Sequence, residues 1–300
     1  MNCEGKLQFI HRSLAEYYVA DFFVNQLSKG TKPSVQLQDH LLKDIFVKAG
    51  YRVIRLFMDG LMSMSEPSEN VLKQYGNRIN DLWKDGVLIL YQAVREGNAH
   101  IIGFLSDSLQ AAEHTGTLIH LLLAQDNDKP TAWHVAAECG NLKLLQMLWE
   151  LAKKKLTAED LSNKLLLAKD NRGQTAWHMA AECGNLQLLQ KLWEWANQVL
   201  TAEAIRDELL LARDNNKQTF LHVVATRRNT EEFEKIWDWT TEKLSPEEIG
   251  KLLLTKDPHE LTVFHVGAKK FNPELLEKLL DWATENLSPE EIEIFARLRR

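Results

Sequence analysis

The stretch DNRGQTAWHMAAECGN, residues 170–185, decides the fold, because nearly the same string, DNDKPTAWHVAAECGN, occupies residues 126–141. Aligning the copies on their histidine reveals four of them, 44, 44 and 43 residues apart, at His134, His178, His222 and His265. The same spacing holds for an asparagine at Asn141, Asn185, Asn229 and Asn272, and for an aspartate at Asp126, Asp170, Asp214 and Asp257. A weaker copy, ILYQAVREGN, occupies residues 89–98. A fixed period of this length is typical of an array of stacked structural units.

The local signals inside one copy predict a turn followed by helices. Gly173 lies in a polar turn, where it can adopt a positive φ. Thr175 can cap the helix that follows, and Gly184 can end that helix. A second helix is predicted next, because apolar residues recur at the spacing of one helix face: Leu186, Leu189, Leu192, Trp193 and Ala196.

A third helix is predicted at the end of each copy. It starts at a residue suited to capping, namely Thr157, Thr201, Ser245 or Ser288. At both serines the sequence SPEE places proline first and glutamate third in the helix, which is the pattern of a capping box. One such unit cannot bury its own apolar faces, whereas stacked copies can. We therefore predict an all-α fold, an α-helical solenoid of repeats preceded by a small helical segment.

The helix signature resembles that of the ankyrin repeat, Thr-Pro-Leu-His-x-Ala-Ala-x-x-Gly, over roughly residues 86–300. The copies at His134 and His178 match it best. The proline is replaced throughout, by Ala132, Ala176, Phe220 and Val263, and the helix-ending glycine becomes Arg228 and Phe271 in the last two copies. The period is about 11 residues longer than the family's 33, and the third helix accounts for the excess. HEAT and armadillo arrays have periods of this length, but they lack the Thr-x-x-His turn.

The resemblance implies repeat units at about residues 86–120, 121–164, 165–208, 209–251 and 252–300, behind a linker and first helix at 63–85. Residues 1–85 do not repeat, and residues 1–62 form a separate helical segment. There, Phe9, His11, Ser13, Glu16 and Tyr17, with Ala20 beyond, resemble the helical segment that follows the nucleotide-binding core of NACHT-type STAND NTPases. Residues 41–62 are predicted to form an amphipathic helix. This resemblance implies the C-terminal part of a larger protein, and no GxxxxGK[ST] motif is present to bind a nucleotide.

Composition argues against several classes of partner. A net charge of −6 over 300 residues and the absence of a long Lys/Arg block argue against nucleic acid. No apolar run reaches the roughly 18 residues of a membrane helix, and the N-terminus does not resemble a secretory signal. Cys3, Cys139 and Cys183 cannot all pair within one chain, so we expect reduced thiols and a cytoplasmic location. The oligomeric state stays open.

The candidate chemical groups favour a structural interpretation, with no catalytic site, metal or cofactor. Repeated histidines about 10 Å apart cannot converge on a zinc ion, and in ankyrin-like units this histidine ties the turn to the next unit. Cys139 and Cys183 each follow their histidine by five residues, about 140° around the helix, so no thiol–imidazole pair forms. In HELTVFH, residues 259–265, the two histidines are six residues apart, whereas the zinc-protease motif needs four.

Tryptophans are concentrated in the array, where an aromatic row could grip a peptide or a sugar. Trp133 and Trp177, however, occupy the buried leucine place of the signature, and Trp149, Trp193 and Trp237 continue the apolar face of the second helix. We therefore expect them to fill the core, together with Trp195, Trp239 and Trp282.

A solenoid offers an extended concave surface, and we expect binding at the hairpin tips and at the ends of the first helices. Candidate partner-binding residues are Asp128, Lys129, Glu138, Cys139, Arg172, Glu182, Cys183, Lys217, Thr226, Arg227, His259, Lys269 and Lys270. The helix-end residues change from acidic to basic along the array, which could set the direction of a bound chain. A merely solvated face is the alternative.

The sequence thus predicts a non-catalytic module that binds another protein or peptide. It would be the partner-sensing C-terminal part of an intracellular NACHT/STAND-type signalling protein. The alternatives are a free-standing ankyrin scaffold or a host-directed effector of an intracellular microbe. An enzyme using Cys/His chemistry would need a converging site, which the spacing of these residues opposes.

Overall fold

The computed structural model describes residues 3–28, 33–64, 66–124, 130–227, 230–269 and 273–286. Within these ranges the side chains of residues 3–11, 83–86, 230 and 273–275 are not described. The described residues form helices and turns and contain no strand, so the predicted all-α class is confirmed. The chain divides into two compact units, one of residues 1–127 with 143–156 and the other of residues 128–142 with 157–300.

The first unit is built mainly of α-helices joined by short turns. They are α1 (Cys3–Ser28), α2 (Val35–Asp39), α3 (Arg52–Met62), α4 (Glu69–Asp81), α5 (Trp83–Glu96), α6 (Ala99–Ala111) and α7 (Thr115–Leu123), with α9 (Leu142–Lys155). The second unit contains α8 (Ala132–Glu138), α10 (Ala158–Asp160), α11 (Ala176–Cys183), α12 (Leu186–Val199), α13 (Ala202–Ala204), α14 (Phe220–Ala225), α15 (Thr230–Lys243), α16 (Pro246–Leu254), α17 (Val263–Lys269) and α18 (Pro273–Asn286).

Helix α1 packs along α3 through one face. Ala20, Phe23, Val24 and Leu27 are buried, at the spacing of one helical stripe. On another face of α1, Leu14, Tyr18 and Phe22 are exposed. Of the residues that carry the NACHT resemblance, Phe9 and His11 lie outside the described side chains, whereas Ser13, Glu16 and Tyr17 lie on α1.

The helix predicted over residues 41–62 is interrupted. A π-helical turn covers His40–Ile45, Lys48 is extended, and a 3₁₀ turn at Ala49–Tyr51 leads into α3. The buried guanidinium of Arg55 donates to the carbonyls of Ile45 (2.6 Å) and Lys48 (2.8 Å), which have left the helical pattern. The block predicted to be helical therefore contains a break, at which a side chain from α3 satisfies the backbone.

Helices α4 and α6 approach closely at Gly76. A Cβ at this position would overlap the Ser108 carbonyl, so only glycine fits without a backbone shift. Asp59 on α3 accepts backbone hydrogen bonds from His100 (2.8 Å) and Ile101 (3.0 Å), which caps the start of α6. These contacts hold α3, α4 and α6 together as the core of the first unit.

In the second unit the first helices of successive repeats, α8, α11, α14 and α17, pack side by side. Gly184 ends α11 in the left-handed conformation with a φ of 70°, as predicted. Thr157 and Thr201 cap the third helices, and Ser245 forms the predicted capping box with Glu248. Ser288 lies outside the described residues. After one α-helical turn, two of the third helices widen into π-helical turns at Leu161–Leu166 and Ile205–Leu210, which the sequence did not predict.

Candidate interaction surface

A threonine–histidine pair begins each first helix. The distance from the threonine Oγ1 to the histidine Nδ1 is 2.8 Å for Thr131 and His134, 3.0 Å for Thr175 and His178, 2.9 Å for Thr219 and His222, and 2.9 Å for Thr262 and His265. In the last three pairs the threonine backbone N–H also donates to Nδ1, at 3.1–3.4 Å. Histidine thus takes the place of the glutamate or glutamine that usually completes a capping box. Because Nδ1 accepts a backbone hydrogen bond, the neutral ring carries its proton on Nε2.

That remaining N–H links one repeat to the next. His134 Nε2 donates to the Ala168 carbonyl at 2.9 Å, and His222 Nε2 donates to the equivalent Thr255 carbonyl at 3.1 Å. The equivalent carbonyl for His178 is that of Ala212. Burial lowers the pKa of His178, this carbonyl only partly opposes the shift, and no hydrogen bond to Nε2 forms. The predicted role of this histidine, tying a turn to the next unit, is confirmed at His134 and His222.

An aspartate orders each described hairpin tip from within. The buried Asp170 accepts the backbone N–H groups of Arg172 (2.9 Å) and Gln174 (2.8 Å) on one carboxylate oxygen. Asp214 accepts from Gln218 at 2.8 Å in the next tip. Asn215 then joins two tips, because its backbone N–H donates to the Arg172 carbonyl at 2.8 Å. The tips are therefore ordered by hydrogen bonds from backbone N–H groups, and the tip residues Arg172, Lys217 and His259 remain exposed.

One position in each of three hairpin tips has a left-handed backbone conformation, and a different residue type occupies it in each repeat. Gly173 has a φ of 73°, as predicted. In the same place Lys217 and Glu260 have φ values of 55° and 60°. Such a conformation is uncommon for residues other than glycine, asparagine and aspartate.

The comparison with protein families finds one match. The model described as ankyrin repeats, in three copies, matches residues 109–202. Residues 109–202 are therefore similar to ankyrin repeats. No curated protein matches the chain. Beyond residue 202 the ankyrin-type threonine–histidine cap recurs at Thr219 and at Thr262, with the geometry described above.

The predicted helix-end residues lie at the C-terminal ends of the first helices, which pack side by side. Together these residues are here called the terminal row. Its described members are Glu138, Cys139, Glu182, Cys183, Thr226, Arg227 and Lys269. Glu138, Cys139, Glu182, Thr226 and Lys269 are exposed, whereas Cys183 and Arg227 are half-buried. At the tips Arg172, Lys217 and His259 are exposed as well. Asp128, Lys129 and Lys270 lie outside the described residues. Whether any of these residues binds a partner stays a prediction.

Arg227 has a structural connection that the sequence did not reveal. Its guanidinium donates to the backbone carbonyls of Glu182 and Cys183 (3.1 Å to the latter), at the end of α11 in the preceding repeat. Its Nε also lies 3.7 Å from a carboxylate oxygen of the buried Glu232. These carbonyls are 45 and 44 residues away in sequence. The guanidinium of Arg227 therefore interacts with the preceding repeat. The basic character at that end of the terminal row depends more on Lys269.

Six tryptophans of the array are buried: Trp133, Trp149, Trp177, Trp193, Trp195 and Trp237. Trp239 and Trp282 are half-buried. Trp133 meets Trp195 with ring centroids 5.7 Å apart, and Trp177 meets Trp239 in the equivalent arrangement one repeat later at 5.9 Å. The expectation that tryptophans fill the core is confirmed for the six buried rings, whose residues are at most 8% exposed.

Neither the thiols nor the histidines form a reactive centre in the part of the chain that the structure describes. Cys139 and Cys183 lie on neighbouring repeats and are not joined in a disulfide. No group of three or more His, Cys, Asp or Glu side chains in the described ranges could hold a metal ion. Within those ranges, too, every helix is too short or too polar to cross a membrane.

The buried histidines predict a loss of stability in mild acid. Burial lowers the pKa of His178 to about 4 and also lowers the pKa values of His134 and His222. The unfolded chain, with histidine pKa values of about 6.5, therefore binds more protons than the folded chain between these values. We expect the free energy of unfolding to be constant above pH 6.5 and to fall by about 3 kcal/mol through His178 alone on going to pH 4.

Urea unfolding at closely spaced pH values measures this effect. His178→Gln serves as the control, since it removes the titrating group: it should lower stability at pH 7 and flatten the profile between pH 6.5 and 4. A profile of equal steepness in both proteins contradicts a buried neutral His178.

Proposed function

We propose that this chain is a non-catalytic module that binds another protein through the terminal row and the adjoining hairpin tips. Ankyrin repeats are generally protein-interaction modules without catalytic activity. The single observation that carries the proposal is the alignment of Glu138 and Glu182 at the ends of packed, parallel helices α8 and α11. Two exposed carboxylates on successive repeats offer a regularly spaced acidic surface, which suits a partner segment with basic side chains.

The neighbourhood of these residues is ordered by backbone contacts and not by the charges themselves. The Asn185 side chain donates to the Gly140 carbonyl at 2.9 Å, between the ends of α8 and α11. Gly140 has a φ of 65°, and a Cβ there would overlap the sulfur of Cys183. These contacts do not depend on either carboxylate, although Glu182 also accepts a hydrogen bond from the buried Gln174 side chain at 3.1 Å, which Glu182→Lys removes.

The double variant Glu138→Lys, Glu182→Lys reverses both charges. We expect its affinity for the partner, measured by calorimetry, to be at least tenfold lower than that of the parent protein. The fold should be retained, because a cation is favoured near the C-terminal end of a helix. The partner is first captured from cytosolic extract and identified, then purified for the titration. The matched control is Glu159→Lys with Glu203→Lys, which makes the same charge change at exposed, repeat-equivalent positions on the third helices. Equal affinity of the two double variants would remove the terminal row as the binding surface.

We further propose that this module follows a NACHT-type core and acts in the cytoplasm. Its segments are those predicted from the sequence: a NACHT-associated helical segment at 1–62, a linker and first helix at 63–85, and the repeat array at 86–300. This proposal rests on the residues from Phe9 to Tyr17, and the family match at residues 109–202 does not extend to them. An odd number of cysteines, Cys3, Cys139 and Cys183, cannot all pair within one chain, which supports a reducing compartment. Reading the gene upstream for an in-frame GxxxxGK[ST] motif tests the proposal, and its absence there would favour a free-standing ankyrin scaffold.

A further inference from the structure

A pocket of about 360 Å³ opens in the first unit, on a different set of helices from the terminal row. It lies among the end of α3, the start of α4, α6 and the start of α9. Its volume lies at the lower end of the range found for ligand-binding pockets.

The inner surface of the pocket is apolar and adaptable. Met62 and Phe104 are buried beneath it, and Met147 lines it from α9. Methionine side chains adjust to differently shaped apolar groups and make favourable contacts with aromatic rings. Gly103 leaves the space open, because a Cβ added there would meet only the Met147 methyl group, at 3.7 Å. An apolar side chain therefore fits above these residues without displacing backbone.

The rim of the pocket is charged and carries a net negative charge. Glu66 and Asp107 present exposed carboxylates, against the single ammonium group of Lys143. Neither carboxylate forms a hydrogen bond or an ion pair within 4.0 Å with another residue that the structure describes, although burial raises the pKa of Asp107 and the charge of Lys154, outside the pocket lining, partly opposes that rise. The fourth ionisable group, His100, is held by Asp59 through a 3.1 Å contact at its Nδ1. A ligand with a cation beside its apolar group would complement this rim.

We propose that this pocket binds an apolar side chain of a partner protein that carries lysine or arginine directly beside it. The apolar inner surface supplies the contact area, and Glu66 with Asp107 selects the neighbouring cation. The inference goes beyond the proposed function, since it assigns a second binding site, on α3, α4, α6 and α9, that shares no residue with the terminal row.

Methyl resonances of methionine test the site directly. The protein is labelled with ¹³C at the methionine methyl groups and titrated with an acetylated, amidated pentapeptide that has tryptophan between two lysines. Met62 and Met147 should shift saturably, while Met179, buried in the second unit, serves as the internal control and should not. The same peptide with glutamates in place of lysines should bind at least tenfold more weakly. Unmoved Met62 and Met147 resonances, or equal binding of both peptides, would overturn the proposal.

Two variants separate occupation of the pocket from binding elsewhere. Gly103→Leu fills the pocket and should abolish the shifts, whereas Gly60→Leu, at an exposed position of α3 with open space around it, should preserve them. If Gly103→Leu fails to fold, Asp107→Lys should weaken the lysine peptide at least fivefold and strengthen the glutamate peptide. Full binding by a folded Gly103→Leu protein, or unchanged preferences in Asp107→Lys, would overturn the proposal. The doubly reversed Glu138 and Glu182 variant should bind the pentapeptide normally, so that the two sites can fail independently.

Discussion

Replacing Trp177 by alanine is expected to lower the free energy of unfolding by about 3–5 kcal/mol, the range for truncating a large buried aromatic side chain. The indole is 2% exposed and meets Trp193, Phe220 and Trp239, each with ring centroids 5.9 Å apart. Phe220 and Trp239 belong to the following repeat. The substitution therefore leaves a cavity within one repeat and weakens its interface with the next, which is the main source of stability in stacked arrays.

A conservative variant makes this prediction specific. Phe264 occupies the equivalent place two repeats later and is 2% exposed. Trp177→Phe should therefore cost distinctly less than Trp177→Ala, because an aromatic ring already fits this place in the same architecture. Urea unfolding followed by circular dichroism measures both variants. A melting temperature of Trp177→Ala equal to that of the parent protein would refute burial of this ring.

The second large effect is expected at Arg55 in the first unit. Its guanidinium is fully buried and pairs with Glu96 through two contacts, at 2.7 Å and 2.5 Å. Burial by itself would raise the pKa of Glu96, but hydrogen bonds from Arg55, Gln92 and Asn98 and the charge of Arg55 lower it overall. Arg55→Met leaves that carboxylate without its cation and removes the guanidinium donor from the Ile45 and Lys48 carbonyls, of which Lys48 keeps the backbone N–H of Tyr51. We expect a loss of about 3–5 kcal/mol.

Urea unfolding of three proteins tests this account. Arg52→Met removes the same charge from an exposed position on the same helix and should change stability by less than about 0.5 kcal/mol. Arg55→Met combined with Glu96→Leu should recover part of the loss, because no unpaired buried charge remains. If the double variant is less stable than Arg55→Met, the loss of stability arises from packing or from the carbonyls of Ile45 and Lys48. The unpaired carboxylate of Glu96 is then not its cause.

Much of the second unit could be predicted because its signals are local and are repeated. The left-handed turn at Gly173, the cap at Thr175 and the helix end at Gly184 each depend on residues within about one helical turn. The burial of Trp177 follows from its place in the repeated signature, where Trp133, Leu221 and Phe264 stand in the other copies. Repetition strengthened each of these predictions, since the same residue type recurs at a fixed period.

The candidate surface was predictable only in part. The positions of Glu138 and Glu182 follow from the ends of their helices. The contacts of Arg227 could not be predicted, because its partners lie one repeat away in sequence and are backbone carbonyls. Every residue has such a carbonyl, so the residue type gives no signal. The pocket at Gly103 was not predicted either, since it combines segments between residues 62 and 147.

The sequence by itself determined the repeat period, the helical class and the capping of each unit, because these depend on neighbours along the chain. Only the tertiary structure decided that Arg55 pairs with Glu96, that Arg227 joins two repeats and that Lys217 and Glu260 adopt a positive φ. Those features arise when distant segments pack and must satisfy buried charges and backbone groups, and the free energy of that packing outweighs local conformational preference.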